Sequence, residues 1–334
     1  MSAVPIDPQL EYNFSRAGRA GVQRSGQVPR VADVSDRWVD AAARSLIARC
    51  YQPLTVVPAA VPGAAAATVA PGQKTRSALV DASTPLPAIL YLHGGAWVGG
   101  DLESCDLLCR TLANACRALV VALDYRRAPD AALLDALAAV RWMRSEAAAL
   151  GIDPQRIAIA GDEAGAHLAV RTLVALRDAG DLPLVMQVLI SPVLDLADSA
   201  FSNSAIRSSG LAESVQRPAI ERHLDAVVSQ LQQGRDRAFA NVASLDGPAL
   251  SPLRTPSLVG LPPAFVLNAG ADPVLEHGKR WVERLHAAGI EATHECFEGM
   301  VHGFVFMGGE LAGASHAMAR MTQQLRPALR RRFT

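Results

Sequence analysis

Aromatic residues are scarce in this sequence, and neither sign of charge is in excess. Phe, Trp and Tyr make up 5% of the 334 residues, and Lys plus Arg equals Asp plus Glu at 32 each. A chain without net charge has no long-range field that attracts nucleic acid or an anionic membrane surface. We therefore expect neither of these partners, and the low aromatic content argues against a wide stacking pocket.

Long apolar runs and paired cysteine motifs are missing as well. The apolar runs are far shorter than the ~20 residues of a membrane-spanning helix, and the polar N-terminus, with Asp7 and Glu11, has no signal-peptide core. The five cysteines are odd in number and form no CxxC pair, which predicts reduced thiols in a cytoplasmic protein. Cys105 and Cys109 lie one helical turn apart, but no His or acidic residue accompanies them at metal-site spacing. We predict buried thiols there, no metal and no cofactor.

The rest of the composition is that of a protein with a large core. At 50% hydrophobic and 19% charged residues, the chain suits one α/β domain with a lid. Strand-like apolar runs at residues 88–93, 119–125 and 184–190 alternate with helical segments such as residues 131–150. Such alternation is typical of βαβ units, so the sequence predicts a mostly parallel sheet flanked by helices.

Two stretches depart from this alternation. Residues 1–30 are polar and form either an arm or a lid segment, whereas Val34, Trp38 and Leu46 repeat at helical spacing and predict an amphipathic helix over residues 34–50. Residues 196–250 become polar and helical, which indicates a helical cap inserted into the core. The predicted organisation is an N-terminal arm with cap helices (1–50), a first core part (51–195), the cap insertion (196–250) and a second core part (251–334).

The stretch RIAIAGDEAGAHL, residues 156–168, organises the chain. Its first half is a short β-branched run typical of a buried strand, and its second half begins a helical period. Gly161 and Gly165 flank Glu163 in a tight turn that leaves no room for neighbouring side chains. This is a nucleophile elbow of the form G-x-S-x-G, except that the motif has Ser where position 163 is Glu. His167, four residues later, is predicted to pack beneath the elbow.

A pair of glycines follows another predicted strand. His93-Gly94-Gly95-Ala96-Trp97 comes at the end of the run at residues 88–93. Consecutive glycines let backbone N–H groups point into a cleft, as an oxyanion hole requires. The His-Gly-Gly sequence is also the signature that accompanies a nucleophile elbow, so we assign these residues to the same site.

Together these motifs resemble the hormone-sensitive-lipase-like (bacterial family IV) branch of the α/β-hydrolases. Further matching segments, in the family's order over about residues 85–310, are Asp124-Tyr125-Arg126-Arg127-Ala128-Pro129, Ser251-Pro252-Leu253, Asp272-Pro273 and His302-Gly303-Phe304. The resemblance implies the α/β-hydrolase fold, a mostly parallel eight-stranded sheet flanked by helices with a helical cap. Several independent motifs in one order make a chance match implausible.

The resemblance also implies the residues of an active site. The triad consists of the elbow residue, Asp272 and His302, in the chain order that this fold uses. Asp272 can hold His302 in one tautomer, and both stand at the sheet edge where open α/β folds bind ligands. The implied oxyanion donors are the N–H groups of Gly94, Gly95 and Ala164, and substrate binding is assigned to Trp97, His93 and Asp162.

Glutamate at position 163 makes ordinary ester hydrolysis unexpected. Acyl transfer needs an alkoxide-like attacker, and removing Ser from a triad costs on the order of 10⁶ in kcat. A carboxylate attacking an ester would form a mixed anhydride, a high-energy species. The helix N-terminus and the glycine amides favour an anion, so Glu163 can fold back and fill the oxyanion hole itself. His302 would then be held protonated between two carboxylates.

Four functions remain open for a site of this kind. Glu163 and His302 can act as acid and base in an elimination, isomerisation or cyclisation of a small, largely apolar acyl, ester-type or polyketide-like metabolite, which we favour. Glu163 can orient a water for slow hydrolysis of an ester or lactone, or attack an epoxide or halide carbon. The protein can also be a binder without activity, similar to the plant gibberellin receptors. The predicted partner is a small-molecule substrate, and a homodimer is left open.

Overall fold

Eight strands form one sheet in a computed structural model of the protein. The structure describes residues 28–41, 44–54, 84–197, 201, 217–308 and 311–330. The strands are β1 (Asp33–Ala41), β2 (Arg44–Gln52), β3 (Leu86–Leu92), β4 (Leu119–Leu123), β5 (Ile152–Asp162), β6 (Leu184–Ile190), β7 (Ala264–Ala271) and β8 (Ala292–Val301). Their order across the sheet is β1-β2-β4-β3-β5-β6-β7-β8.

The sheet is parallel except at one edge. β1 and β2 pair antiparallel, β2 pairs antiparallel with β4, and every pair from β4 through β8 is parallel. The mostly parallel eight-stranded sheet predicted from the sequence is therefore confirmed. Since parallel strands end at one edge, the loops after β3, β5, β6, β7 and β8 meet there and can build a site.

Helices cover both faces of the sheet. They are α1 (Asp106–Cys116), α2 (Pro129–Ser145), α3 (Ala147–Leu150), α4 (Glu163–Asp178), α5 (Arg217–Ala238), α6 (Leu275–Ala287) and α7 (Ala312–Ala328). α2, α4 and α6 pack on one face in a core with Leu90 and Leu92, while α1 and α7 pack on the other with Ile89 and Tyr91. Successive strand residues thus face opposite cores, as a strand's two-residue period requires.

The predicted amphipathic helix over residues 34–50 is wrong. This segment forms the antiparallel pair β1 and β2, in which Leu46, Ala48 and Cys50 are buried at alternate positions. Trp38, which the helix would have buried, is 68% exposed. Spacings that fit a helix also occur by chance in two short strands, and pairing with β4 decides between them. The described part of residues 1–50 is therefore sheet and not cap helix, and the arm predicted for the first residues lies outside the described ranges.

Helix α5, within the predicted insertion, lies over the carboxyl edge of the sheet. Its residues Val227 and Leu231 pack against Trp97 and Ala164, which belong to the loops after β3 and β5. α5 therefore acts as a cap over that edge, in agreement with the composition shift in the sequence. No helix among the described residues is long and apolar enough to span a bilayer.

Candidate active site

Glu163 occupies the turn between strand β5 and helix α4. Its φ is 50°, in the left-handed region that side chains rarely adopt. The turn is packed so closely that a Cβ on Gly165 would lie 2.0 Å from the carbonyl oxygen of Leu92. Such strain persists only where the surroundings enforce it, and it aims the Glu163 side chain into the site. The strand, turn and helix predicted for the elbow are confirmed.

The loop after β3 presents a backbone donor to Glu163. Ala96 and Trp97 have φ of 50° and 60°, so the chain turns back and the Ala96 N–H points toward the elbow. The Ala96 N–H donates to Oε1 of Glu163 at 2.5 Å. Glu163 is fully buried, so this charge-assisted contact is shielded from water. The Glu163 carboxylate therefore occupies a backbone N–H of the loop after β3, the loop in which the sequence predicts oxyanion donors.

His302 stands on the other side of the Glu163 carboxylate. Its Nδ1 lies 2.8 Å from Oδ1 of Asp272, and its Nε2 lies 3.9 Å from Oε2 of Glu163. His302 and Asp272 are each 1% exposed. The structure thus brings together the three residues predicted as the triad, with the imidazole between two carboxylates.

Asp272 is fixed by donors on both carboxylate oxygens. Oδ2 accepts from the Ser191 hydroxyl at 2.7 Å and from the Asn268 amide at 3.0 Å, while Oδ1 accepts from the Val274 N–H at 3.1 Å as well as from His302. Burial alone would raise the pKa of Asp272, but His302 and these donors outweigh it and lower the pKa to about 2. Asp272 is therefore ionised and can orient the His302 ring.

The charge on His302 follows from the same contacts. Burial alone would lower the pKa of His302, but Asp272 and Glu163 together outweigh it and raise the pKa to about 10. At neutral pH His302 is thus an imidazolium paired with two carboxylates. An imidazolium can donate its Nε2 proton, but it cannot take one from a nucleophile.

The structure differs from the sequence-based prediction at Gly94. Its N–H donates to Oδ1 of Asp162 at 2.9 Å, below the elbow, and Tyr91 donates its hydroxyl to the same oxygen at 2.7 Å. The Gly94 N–H is therefore already bound to Asp162, which argues against its predicted role as an oxyanion donor, and the N–H of this loop that contacts Glu163 is that of Ala96. Asp162 supports the loop instead of facing the Glu163 carboxylate. The donor roles predicted for Gly95 and Ala164, and the ligand contact predicted for Asp162, stay predictions.

Two further residues assigned to substrate binding are held inside the protein. The His93 ring stacks on Tyr125 with ring centroids 4.5 Å apart, and its Nδ1 donates to the Gly94 carbonyl. The Trp97 indole N–H donates to Nδ1 of His167 at 3.4 Å. His167 is buried and donates from Nε2 to the carbonyl of Leu250, so it packs against Trp97 and the end of the predicted insertion, and its predicted place beneath the elbow stays a prediction. These contacts shape the loop after β3, and a ligand contact remains a prediction for Trp97 and His93.

No cluster of three or more His, Cys, Asp or Glu within the described ranges is arranged to hold a metal ion. All five cysteines carry free thiols, and four are buried. Cys105 and Cys109 both contribute to the core beneath α1. Their burial agrees with the reading of these residues as core thiols.

Comparison with known proteins places this geometry in a family. Residues 89–306 match a family described as having the alpha/beta hydrolase fold. The chain is 36% identical to the esterase LipI of Mycobacterium tuberculosis over 249 residues, which is 73% of each chain. It is 33% identical to an ethyl acetate hydrolase of Pseudomonas putida, over 72% of this chain and 73% of that one. The chain therefore belongs to the α/β-hydrolase family, and these relatives are ester hydrolases.

Solved structures agree with the family assignment. An esterase of Pyrobaculum calidifontis superposes with a TM-score of 0.75 at 27% identity, covering 96% of this chain and 94% of that one. The carboxylesterase EstE1, cloned from a metagenomic library, superposes with a TM-score of 0.71 at 29% identity, over 97% of this chain and 98% of that one. The protein is thus an α/β-hydrolase-fold protein of the esterase type in its architecture.

Several residues of the site were not found from the sequence. Ala96 was passed over for its glycine neighbours, although Ala at that position has the same N–H. Ser191, which directly follows β6, and Asn268, four residues before Asp272 on β7, both hold the Asp272 carboxylate, and no local pattern marks them. The positive φ of Ser191, 44°, is a property of the folded chain alone. Such partners are visible only once the strand ends are brought together.

Proposed function

We propose that the protein is a hormone-sensitive-lipase-like member of the family in which Glu163 and His302 form an acid–base pair. The substrate is a small, largely apolar acyl, ester-type or polyketide-like compound, and the reaction is an elimination, isomerisation or cyclisation. No cofactor is required for proton transfer of this kind. The proposal is supported chiefly by one observation, the Glu163 carboxylate lying between the Ala96 N–H and Nε2 of His302.

Glu163 can accept one proton and His302 can donate one, which suits an elimination. Glu163 takes a proton from a carbon next to a carbonyl, and His302 gives its Nε2 proton to the departing oxygen, so that water or an acid leaves. The pair then stands as protonated Glu163 and neutral His302. Transfer of that proton from Oε2 to Nε2, which are 3.9 Å apart in the resting site, restores the starting state. Positioned proton transfer of this type contributes about 10²–10⁴ in rate.

Serine-type ester hydrolysis is disfavoured by the same contact. The carbonyl of an ester needs the Ala96 N–H as it becomes an oxyanion, and Glu163 occupies that donor. The hydroxyl closest to the triad in the described contacts, that of Ser191, donates to Asp272 and not to His302. A serine esterase mechanism would therefore need both a new nucleophile and an empty oxyanion hole.

A second candidate is hydrolysis by a water molecule that Glu163 and His302 orient. It is favoured by the relatives, which are named esterases and an ethyl acetate hydrolase, and by the intact Asp272–His302 pair at 2.8 Å. In this reaction Glu163 accepts the proton of the water, and its carboxylate must leave the Ala96 N–H as the ester carbonyl enters. Turnover would be slow because that displacement separates Glu163 from its donor.

The experiment that decides between these functions begins with binding. Purified protein is screened against acyl compounds, lactones and esters by thermal shift, and each stabilising compound is incubated with the protein and analysed by mass spectrometry. A product that has lost water or acid, or an isomer of equal mass, supports the acid–base reaction. An acid and an alcohol in equal amounts support hydrolysis.

A cytoplasmic location is also part of the proposal, and it is supported only by the free thiols.

A further inference from the structure

Helix α5 covers both halves of the candidate active site with a single face. Its buried stripe runs at helical spacing through Ile220, Leu224, Val227 and Leu231. The first two of these side chains pack with Ala271 and Val301, which directly precede Asp272 and His302, and the last two pack with the loop after β3. One rigid element therefore contacts the neighbours of the Asp–His pair and the neighbours of the Ala96 donor.

The end of α5 lies against the backbone of the Ala96 donor. A Cβ on Gly234 would stand 2.1 Å from the Ala96 carbonyl oxygen, closer than any real contact, so only glycine fits here. The helix thus docks directly on the carbonyl of Ala96, the residue whose N–H contacts Glu163. A shift of α5 would therefore displace this loop directly, because Gly234 places no side chain between them.

Nearer its start, α5 makes a polar contact with the other half of the site. Nε2 of His223 lies 3.1 Å from the backbone carbonyl oxygen of His302. A carbonyl oxygen can only accept, so Nε2 carries the proton and donates it. Burial lowers the pKa of His223 to about 4, which makes the ring a neutral imidazole at physiological pH. This hydrogen bond fixes the backbone of His302, the residue whose ring lies between Asp272 and Glu163.

We infer that His223 is a positioning residue for His302. It fixes the carbonyl of His302 and thereby links the docking of α5 to the placement of the imidazole between Asp272 and Glu163. The inference rests on the proposed function only in taking His302 as a functional group. The hydrogen bond of His223 is to the backbone of His302, so His223 acts through His302. A displacement of α5 would remove the donor from the carbonyl of His302, so the docking of α5 and the geometry of the imidazole are coupled.

The test compares His223→Leu with His223→Gln, in the full chain and without ligand. Leucine removes the N–H, whereas glutamine places an amide N–H close to the position of Nε2. The first readout is the low-field proton NMR resonance of the His302 Nδ1–H bound to Asp272, which reports the geometry of that pair. The second is hydrogen exchange of the backbone amides of residues 217–238. Gln233→Leu, an exposed change on the same helix, is the matched control.

For His223→Leu we expect the low-field resonance to shift or disappear, and amide exchange over α5 to become about two- to tenfold faster, the factor that one hydrogen bond contributes. His223→Gln and the control should resemble the wild type in both. A wild-type resonance in His223→Leu overturns the inference, as does a folded His223→Gln that behaves like the leucine variant. If the leucine variant does not fold, His223→Asn, whose amide is too short to reach, takes its place and should differ from His223→Gln. Neither readout depends on turnover, so the inference stands or falls separately from the acid–base reaction.

Discussion

Oε1 of Glu163 lies 2.5 Å from the backbone nitrogen of Ala96, so the residue at the nucleophile position occupies the anion-binding donor of its own active site. In an ester hydrolase that donor is free until the substrate carbonyl becomes negatively charged. Here a resident carboxylate supplies the negative charge, and the buried His302 imidazolium balances it. The resting site therefore resembles an esterase with an acid product bound.

The first prediction concerns esterase activity. We expect negligible turnover of short-chain p-nitrophenyl esters by the wild-type protein, because an acyl-enzyme cannot form. Glu163→Ser should raise this activity greatly, by up to about 10⁶-fold, the factor that loss of the serine costs a triad. Steady-state hydrolysis followed by p-nitrophenolate absorbance measures both.

Glu163→Ala is the matched control for this experiment, because it also vacates the Ala96 N–H but provides no hydroxyl. It should remain inactive. If Glu163→Ser folds and is as inactive as the alanine variant, then Asp272, His302 or the loop after β3 is not arranged for catalysis. Wild-type turnover close to that of an esterase, abolished in Glu163→Ala, would refute the first prediction directly.

The fold and the proximity of Glu163, Asp272 and His302 could be predicted from short motifs and from the family resemblance that these motifs carry. The β5–α4 turn is marked by two glycines around position 163. Asp272 directly follows β7 and His302 directly follows β8, each in a recognisable motif. Residues 34–50 were predicted wrongly because helical spacing in Val34, Trp38 and Leu46 carries no information about pairing between β2 and β4. Long-range pairing overrode the local pattern.

The Ala96 donor and the contact of His223 with His302 could not be predicted from the sequence, for a different reason. Which N–H of residues 94–97 reaches Glu163 depends on backbone angles, such as the φ of 50° at Ala96, that no residue type specifies. His223 looks like any polar residue on a helix, and its contact with the His302 carbonyl exists only once α5 is docked. Both contacts depend on the positions that single atoms take only in the folded chain.

The second prediction separates catalysis from binding. Glu163→Gln keeps the size of the side chain and removes its charge, so it abolishes proton abstraction without opening a cavity. With a ligand found by thermal shift, we expect binding to persist within a few-fold, while product formation falls by about 10²–10⁴, the usual contribution of general base catalysis. Isothermal titration and mass spectrometry provide the two measurements. Compounds that bind both proteins and are recovered unchanged from both would show a binding protein instead of an enzyme.

The third prediction is that a small carboxylate can replace the Glu163 side chain. Glu163→Ala leaves the Ala96 N–H and the buried His302 imidazolium without the anion that they share. Acetate or butyrate should therefore bind and raise the melting temperature of Glu163→Ala in a saturable manner. Acetamide, which has the same shape without charge, and chloride at equal ionic strength are the controls. Equal stabilisation of the wild type, in which Glu163 fills the site, would argue against this assignment of the pocket.

The last prediction concerns stability as a function of pH. Burial, aided by the neighbouring charge of Glu163, raises the pKa of Asp162 to about 7 from its ordinary value of 3.8. Between about pH 4 and pH 7 the folded protein therefore retains a proton on Asp162 that the unfolded chain releases, so the contribution of Asp162 to the free energy of unfolding should fall as the pH rises through this window. Oδ2 of Asp162 has no hydrogen-bond partner in the described part of the chain, so it can carry this proton without losing a contact.

His302 extends the same trend to higher pH. Its folded pKa of about 10 exceeds its ordinary 6.5, so its contribution is complete below about pH 6.5 and is lost as the pH rises toward 10. Urea unfolding at intervals from pH 4 to pH 10 should show a decline above pH 7. Below about pH 6.5 the buried His223 and His167, whose pKa values are lowered to about 4 and about 3, stabilise the fold as the pH rises and oppose the trend of Asp162. Asp162→Asn should therefore make the slope between pH 4 and pH 7 more positive and leave the decline above pH 7 in place. The exposed Asp236→Asn makes the same change of charge and should leave both slopes unchanged. An unaltered slope below pH 7 in Asp162→Asn would mean that Asp162 is already ionised in the folded protein at pH 4, and that the Tyr91 and Gly94 donors outweigh its burial.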